Sequence, residues 1–422
     1  MIDIKAIRAE PQKFIDAARA KRLSVDIQAL LDVDSQLLKA RQELQDIRTA
    51  QNAAGKEIAS LKGPDKQAAI ARMAELKARA KQLDDEVEQL EPKFNELMLL
   101  APQPPAAGVP EGKDDTENVV LRVEGQVRKF DFEPRDHMQL GEALDIIDVP
   151  RGVKLAGSRN YFLKGAGAML HQAILRLAVD QMVAKGYTLM TVPVLVNESV
   201  MYGTGYFPLG RDQAYLAERD NMSLVGTAEV PITAYHGDEI LAESDLPRKY
   251  IGLSTCFRRE AGAAGKDTYG LYRIHFFDKV EQVIICRNDE QESIRFHQEI
   301  LNNAEDVLRA LELPYRVVNV CTGDLGQGQV QKFDIETWMP SRNSYGETHS
   351  ASRFHEFQAR RLNLRYRAAD GKVMFCHTLN NTVIASPRVL IPVLELYQNA
   401  DGTVTVPAAL RPYMQGMERI SR

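Results

Sequence analysis

The chain has 422 residues, 44% of them hydrophobic and 26% charged, with a formal net charge of −5. Its length points to two or more domains, and its mild acidity argues against nucleic-acid binding through overall charge while leaving room for a local basic element. Four cysteines without a C-x-x-C pair, a charged N-terminus and no run of about 18 uncharged apolar residues argue against a disulfide framework, structural zinc, a signal peptide and a membrane span, and favour a reducing, cytoplasmic compartment.

Residues 27–100 are rich in Ala, Leu, Glu, Lys, Gln and Arg. Val33, Leu37, Ala40, Leu44, Ile47, Gln51, Ala54, Ile58 and Leu61 follow a four-three spacing, and Met73, Leu76, Ala80, Leu83, Val87, Leu90, Phe94 and Leu97 repeat it. Gly63 and Pro64 interrupt the two runs, so the spacing predicts an antiparallel coiled-coil hairpin about 50 Å long. From Lys39 to Lys81 there are ten Lys/Arg against five Asp/Glu, and from Asp84 to Glu91 five acids and no base. A basic tip on a rod suits a phosphate backbone; a dimerising coiled coil, a bundle fragment or a merely solvated face are the plainer alternatives.

"APQPPAAGVPEGKDD", from Ala101, marks a boundary, giving domains 1–103 and 104–422. Beyond it, "MLHQAILRLAVDQMVAKGY" (169–187) reads as a helix ending at Gly186. "TLMTVPVLV", "KYIGLSTCFRRE", "LYRIHFFDKVEQVIIC", "YRVVNVC", "QKFDIETWMP" and "LNLRYRA" read as strands, and "DEQESIRFHQEILNNAEDVLRALEL" as an amphipathic helix. Strand runs with grouped helices, and no Rossmann or P-loop motif, predict an α+β domain on an antiparallel sheet. One stretch is unusual: Arg258, Arg259, Glu260, Lys266, Arg273, His275, Lys279 and Glu281 crowd a single expected hairpin. Charge that dense needs a partner.

Six segments in order resemble the seryl-tRNA synthetases, class II aminoacyl-tRNA synthetases: "GYTLMTVPVLVNESVMYGTG", "TAEVP", "CFRREAGAAGKDTYGLYRIHFFDKVE", "CTGDLG", "FQARR" and "HTLNNTVIASPRVLIPVLE". The resemblance spans the arm, the linker and the body. It implies activation of serine with ATP and Mg²⁺ to seryl-adenylate, then transfer to tRNA(Ser), and to a selenocysteine tRNA where one exists, by a homodimer whose arm holds the tRNA. It further implies that Arg258 and Arg388 are catalytic, Arg258 bridging the α-phosphate and the serine carboxylate through a planar guanidinium. Arg388 is expected on the helix of the third motif. Thr227, Ala228, Glu229, Arg258, Glu281, Asn380 and Thr382 would hold serine. Arg258, Arg259, Glu260, Phe277, Glu347, Thr348, His349, Ser350 and Arg388 would hold ATP, with Glu347 at the metal. Taken singly, Thr227 reads equally as a turn residue, Thr382 as a helix cap and His349 as a surface histidine.

The chain departs from the family pattern at Gly346 (usually Arg), at Ala351–Arg353 (usually Cys-Ser-Asn), at Tyr269 (Arg), at Phe276 (Gln) and at Asn381, Thr382 and Val383 (Gly-Ser-Gly). Two other functions stay open on the sequence: a synthetase-like ligase that loads an amino acid onto a carrier protein, whose relatives tend to lack the arm, and a binding protein that has lost catalysis.

Overall fold

The computed structural model describes residues 1–262, 265 and 269–422; Lys266, one of the charged residues of the expected hairpin, lies outside them. The chain divides into two compact units, Met1–Pro104 and Pro105–Arg422.

In the first unit two short helices, α1 (Ile4–Ala9) and α2 (Pro11–Ala20), precede two long ones, α3 (Ile27–Ile58) and α4 (Gly63–Leu100). Asp26 caps α3 by accepting from the Ala29 amide. The heptad seam is where the spacing puts it: Val33, Leu37, Ala40, Leu44, Ile47, Ala80 and Leu83 are buried in a rod whose other positions are mostly exposed. Charged pairs cross between the helices on the outside. Arg79 donates to both carboxylate oxygens of Glu43 at 2.7 and 3.0 Å, Arg48 meets Asp84 at 2.8 Å, and Arg41 meets Glu91. Towards the turn, Lys56, Lys62, Lys66, Arg72 and Lys77 are exposed.

The second unit is built on an eight-stranded sheet: β1 (Val119–Glu124), β2 (Thr188–Met190), β3 (Arg248–Phe257), β4 (Phe276–Cys286), β5 (Tyr315–Asn319), β6 (Gln331–Met339), β7 (Ser344–His355) and β8 (His377–Ser386). The spatial order is β1-β5-β6-β7-β8-β4-β3-β2, antiparallel throughout except for β2 beside β3. α5 (Gly165–Ala184) and α6 (Glu290–Ala310) bury their apolar faces in the core that lies on this sheet, through Leu170, Ile174, Met182, Phe296, Ile300 and Leu308. α7 (Leu390–Leu396) follows β8 after a turn. The α+β, antiparallel reading therefore holds.

Three local expectations change. "TLMTVPVLV" is two short strands in different sheets, β2 and Leu195–Asn197, because proline at 193 has no amide to continue a ladder. His377–Ser386 is a strand, so Thr382 is a mid-strand residue and not a helix cap, and Arg388 sits in the turn before α7 and not on a helix. The charged hairpin has most of its charge outside the pleats: β3 ends at Phe257, before Arg258–Glu260, and β4 begins at Phe276, after Arg273 and His275. Of the described residues of that set, Lys279 and Glu281 alone stand on a strand.

Candidate active site

A fork in the sheet makes the site. β7 and β8 pair from His355↔Thr378 to Ala351↔Asn381. Beyond that rung, β7 bonds only to β6, down to Ser344, and β8 only to β4, up to Ser386↔Asp278. The gap between the diverging ends is a narrow cleft. Glu347, Thr348, His349 and Ser350 line its β7 side, Thr382, Ala385 and Arg388 its β8 side, and Arg258, Glu260, Phe277 and Lys279 the hairpin side. A wider cleft adjoins it, sharing Arg258, Glu260, Glu347 and Arg388.

Arg258 leaves the end of β3 with its guanidinium 5.1 Å from the Phe277 ring centroid. Its backbone is fixed by a 2.9 Å bond from its amide to the His275 carbonyl and another from His275 Nδ1 to its own carbonyl. Glu260 adopts a left-handed backbone, φ 52°, uncommon for a residue with a Cβ, and accepts a 2.6 Å bond from Arg273 on one carboxylate oxygen. Arg388 lies over Tyr272 at 4.5 Å and donates to the carbonyls of Tyr272 and Glu347 at 3.2 and 2.9 Å. Glu347 reaches solvent at the cleft mouth. Burial pushes its carboxyl up, but the charges of Arg388, Lys332, Arg258 and Arg273 outweigh this and hold it below the ordinary glutamate value.

Next to this cleft is a buried polar nest. Glu281 is ion-paired with Lys279, and Thr382 Oγ1 lies 3.4 Å from Glu281 Oε2. Glu229, at the start of the short helix Glu229–Ala234, accepts from the Tyr206 hydroxyl at 2.7 Å and from Gln358 Nε2 at 2.8 Å. Gln358 is held in turn by Thr378 Oγ1 at 2.6 Å. Burial first, and then the charge of Glu281, raise the Glu229 carboxyl to about 7 against the lowering effect of those two donors. Thr227 Oγ1 accepts from the Glu229 amide at 3.1 Å, and Ala228 is fully buried behind it. Asn380 is buried on β8, two residues before Thr382, with its Nδ2 lacking a hydrogen-bond partner.

Of the residues singled out from the sequence, Arg259 is not brought to either cleft: it is exposed and its guanidinium lies 3.4 Å from the Asp212 carbonyl. His349 is no surface histidine. It is 1% exposed, bonded through Nδ1 to Thr348 Oγ1 at 2.8 Å, and burial lowers it to about 3, so the ring is neutral at physiological pH. Sequence reasoning assigned no role to Lys279, Tyr206, Tyr272 or Gln358. The signal for Lys279 was present: two residues from Glu281 on one strand, it shares that face.

Residues 1–105 match the model of the seryl-tRNA synthetase N-terminal domain, and residues 215–397 that of the tRNA synthetase class II core domain (G, H, P, S and T). The chain is 44% identical to a serine–tRNA ligase of Deinococcus radiodurans over 99% of its length and 98% of the relative's. It belongs to the seryl-tRNA synthetase family. Among solved structures, seryl-tRNA synthetase of Pyrococcus horikoshii complexed with ATP superimposes with a TM-score of 0.94 at 36% identity, covering 100% of this chain and 99% of that one. A cytoplasmic serine–tRNA ligase of Naegleria fowleri in complex with AMP gives 0.86 at 29% identity, covering 97% and 95%.

Five of the departures from the seryl-tRNA synthetase pattern have local explanations. At Gly346 a Cβ would lie 3.0 Å from the Tyr272 ring, so the missing side chain makes room for the tyrosine that Arg388 covers. Phe276 stacks on Tyr161 at 4.8 Å with the rings 4° from parallel. Tyr269 bonds through its hydroxyl to Asp136, the cap of the helix His137–Ala143. Arg353 is 1% exposed and paired with Glu290 at 2.7 Å. Asn381 accepts from Gln282 at 2.6 Å and donates to the Ser350 carbonyl at 3.1 Å.

Proposed function

We propose that the chain activates serine with ATP and charges tRNA(Ser) with it, and the selenocysteine tRNA where a cell contains one, in the cytoplasm. A serine carboxylate oxygen attacks the α-phosphorus; the new anhydride forms as the bond to the β-phosphate oxygen breaks and pyrophosphate leaves. The terminal ribose hydroxyl of the tRNA then attacks the seryl carbonyl and AMP leaves. The observation that carries this reading is the convergence of Arg258 and Arg388 on one cleft beside the buried Glu229, Glu281 and Thr382. Fixed guanidinium groups stabilise charge gathering at phosphorus without reorganising. Phe277 offers a face to adenine, Glu260 keeps an oxygen for its amino group, and Thr348, His349 and Ser350 form the wall opposite.

Glu281 and Glu229 receive the serine ammonium and hydroxyl, with Thr227, Asn380 and Thr382 completing the shell. A substrate lacking the hydroxyl would strand buried polar groups, so alanine is rejected. Magnesium travelling with ATP fits the β7 wall, which offers the oxygens a hard cation takes: the Glu347 carboxylate and the Ser350 hydroxyl. Behind them Asp334 has a buried Oδ1 without a hydrogen-bond partner. Bound there, the ion would draw charge off the phosphate oxygens. The exposed lysines at the tip of α3 and α4 are the surface for the tRNA backbone. Val119, Val120, Leu121 and Val123, exposed on the edge strand β1, suit a homodimer contact.

One assay tests the whole reading: pyrophosphate exchange with each amino acid in turn, then charging of total tRNA. Serine-dependent exchange with charging is expected. Exchange without charging would favour the carrier-protein ligase, which the arm disfavours, and no exchange at all would overturn both.

A further inference from the structure

Lys279 faces two chemistries at once. It is ion-paired with Glu281, at side-chain exposures of 7% and 2%, and its Nζ lies 3.4 Å from Thr382 Oγ1. The same side chain lines the cleft that holds Arg258, Phe277 and Arg388. A buried carboxylate needs a counter-charge. With serine absent, Lys279 supplies it; with serine present, the ammonium brings a second cation to the same carboxylate, and like charges crowded in a dry pocket repel. The lysine has somewhere to go, because its flexible stem carries a point charge that can turn between partners.

We propose that Lys279 stands in for the serine ammonium in the empty pocket, and that serine, by taking over Glu281, releases the lysine into the cleft where the α-phosphate sits. Serine occupancy then adds a cation at the reacting phosphorus, so the two substrates bind synergistically and equally so in either order. This rests on the serine site assigned above. It also gives discrimination a second stage: an amino acid that enters without engaging Glu281 leaves Lys279 where it is and the phosphate short of one charge.

The test measures binding of α,β-methylene-ATP by calorimetry, with and without saturating serine, on the full-length protein. Serine should tighten the wild-type protein's affinity for the analogue by at least ~5-fold, the lower end of ordinary coupling. Lys279→Met should bind the analogue at the weak, serine-free level whether or not serine is present. Glu281→Gln should do the reverse, binding it at the tight level without serine, because nothing holds the lysine back. Opposite shifts with the same loss of coupling are not what a damaged fold gives, and if Lys279→Met fails to fold the glutamine variant decides alone. Coupling retained in Lys279→Met, or serine-free affinity unchanged in Glu281→Gln, overturns the proposal. Wild-type protein that shows no serine-dependent exchange would instead overturn the serine site itself.

Discussion

The arm and the cleft are both rich in charge and use it in opposite ways. On α3 and α4 the charged side chains apart from Asp34 are solvated, the pairs between the two helices lie on the outside, and the rod is held by an apolar seam. In the cleft and its polar nest, Lys279, Glu281 and Glu229 are buried, each with named partners and no bulk water to replace them. Solvated charge can be exchanged at little cost and buried charge cannot. The same residue types therefore form a tolerant docking surface in one unit and an intolerant chemical site in the other.

That contrast can be broken at several points. The largest effect is expected from Arg258→Ala, which should lower serine-dependent pyrophosphate exchange by ~10³-fold or more, the scale for losing a charge aimed at a developing anion. Deleting residues 35–95 should leave exchange within about twofold of wild type while charging of tRNA falls by ~10²-fold, as expected when several phosphate contacts go together; charging that survives the deletion would show the arm is not the docking surface. The pH dependence sharpens the picture of buried charge. Below about 7 Glu229 is protonated and offers no charge to an ammonium, so the KM for serine should climb as pH falls through that value, up to about tenfold per unit, and Glu229→Gln should flatten the profile. Within the arm, Leu83→Ala on the seam should cost ~2–5 kcal/mol in denaturant unfolding of the first unit. The smallest effect is expected at Arg79→Ala, which should leave the melting temperature unchanged within error even though it removes a two-pronged pair.

The two units also differed in how far the sequence revealed them. A coiled coil advertises itself because burial follows one period, and the burial along α3 and α4 keeps to it. β7 and β8 do not. All ten residues of β8 are buried, so "HTLNNTVIAS" shows no alternation to read, and its polar side chains are inward-facing site residues and ladder partners. "SYGETHSASRFH" hides β7 in the same way. Only likeness to family motifs singled these segments out, and it placed Arg388 on the third motif's helix, which begins two residues later at Leu390. Gln358 and Tyr206 were out of reach for another reason: they act through Glu229 from distant points of the chain, a relation that only packing creates.

Asn381 has a mechanical consequence. Its amide spans from Gln282 to the Ser350 carbonyl at the last rung where β7 and β8 are joined, like a rivet at the crotch of a tuning fork. Past the rivet the backbone ladder of each prong runs only to its outer neighbour, and what crosses the gap is side-chain bonding, such as Arg388 to the Glu347 carbonyl. Separating the prongs therefore breaks side-chain contacts and no ladder, whereas separating the stem behind them would break the β7–β8 ladder itself.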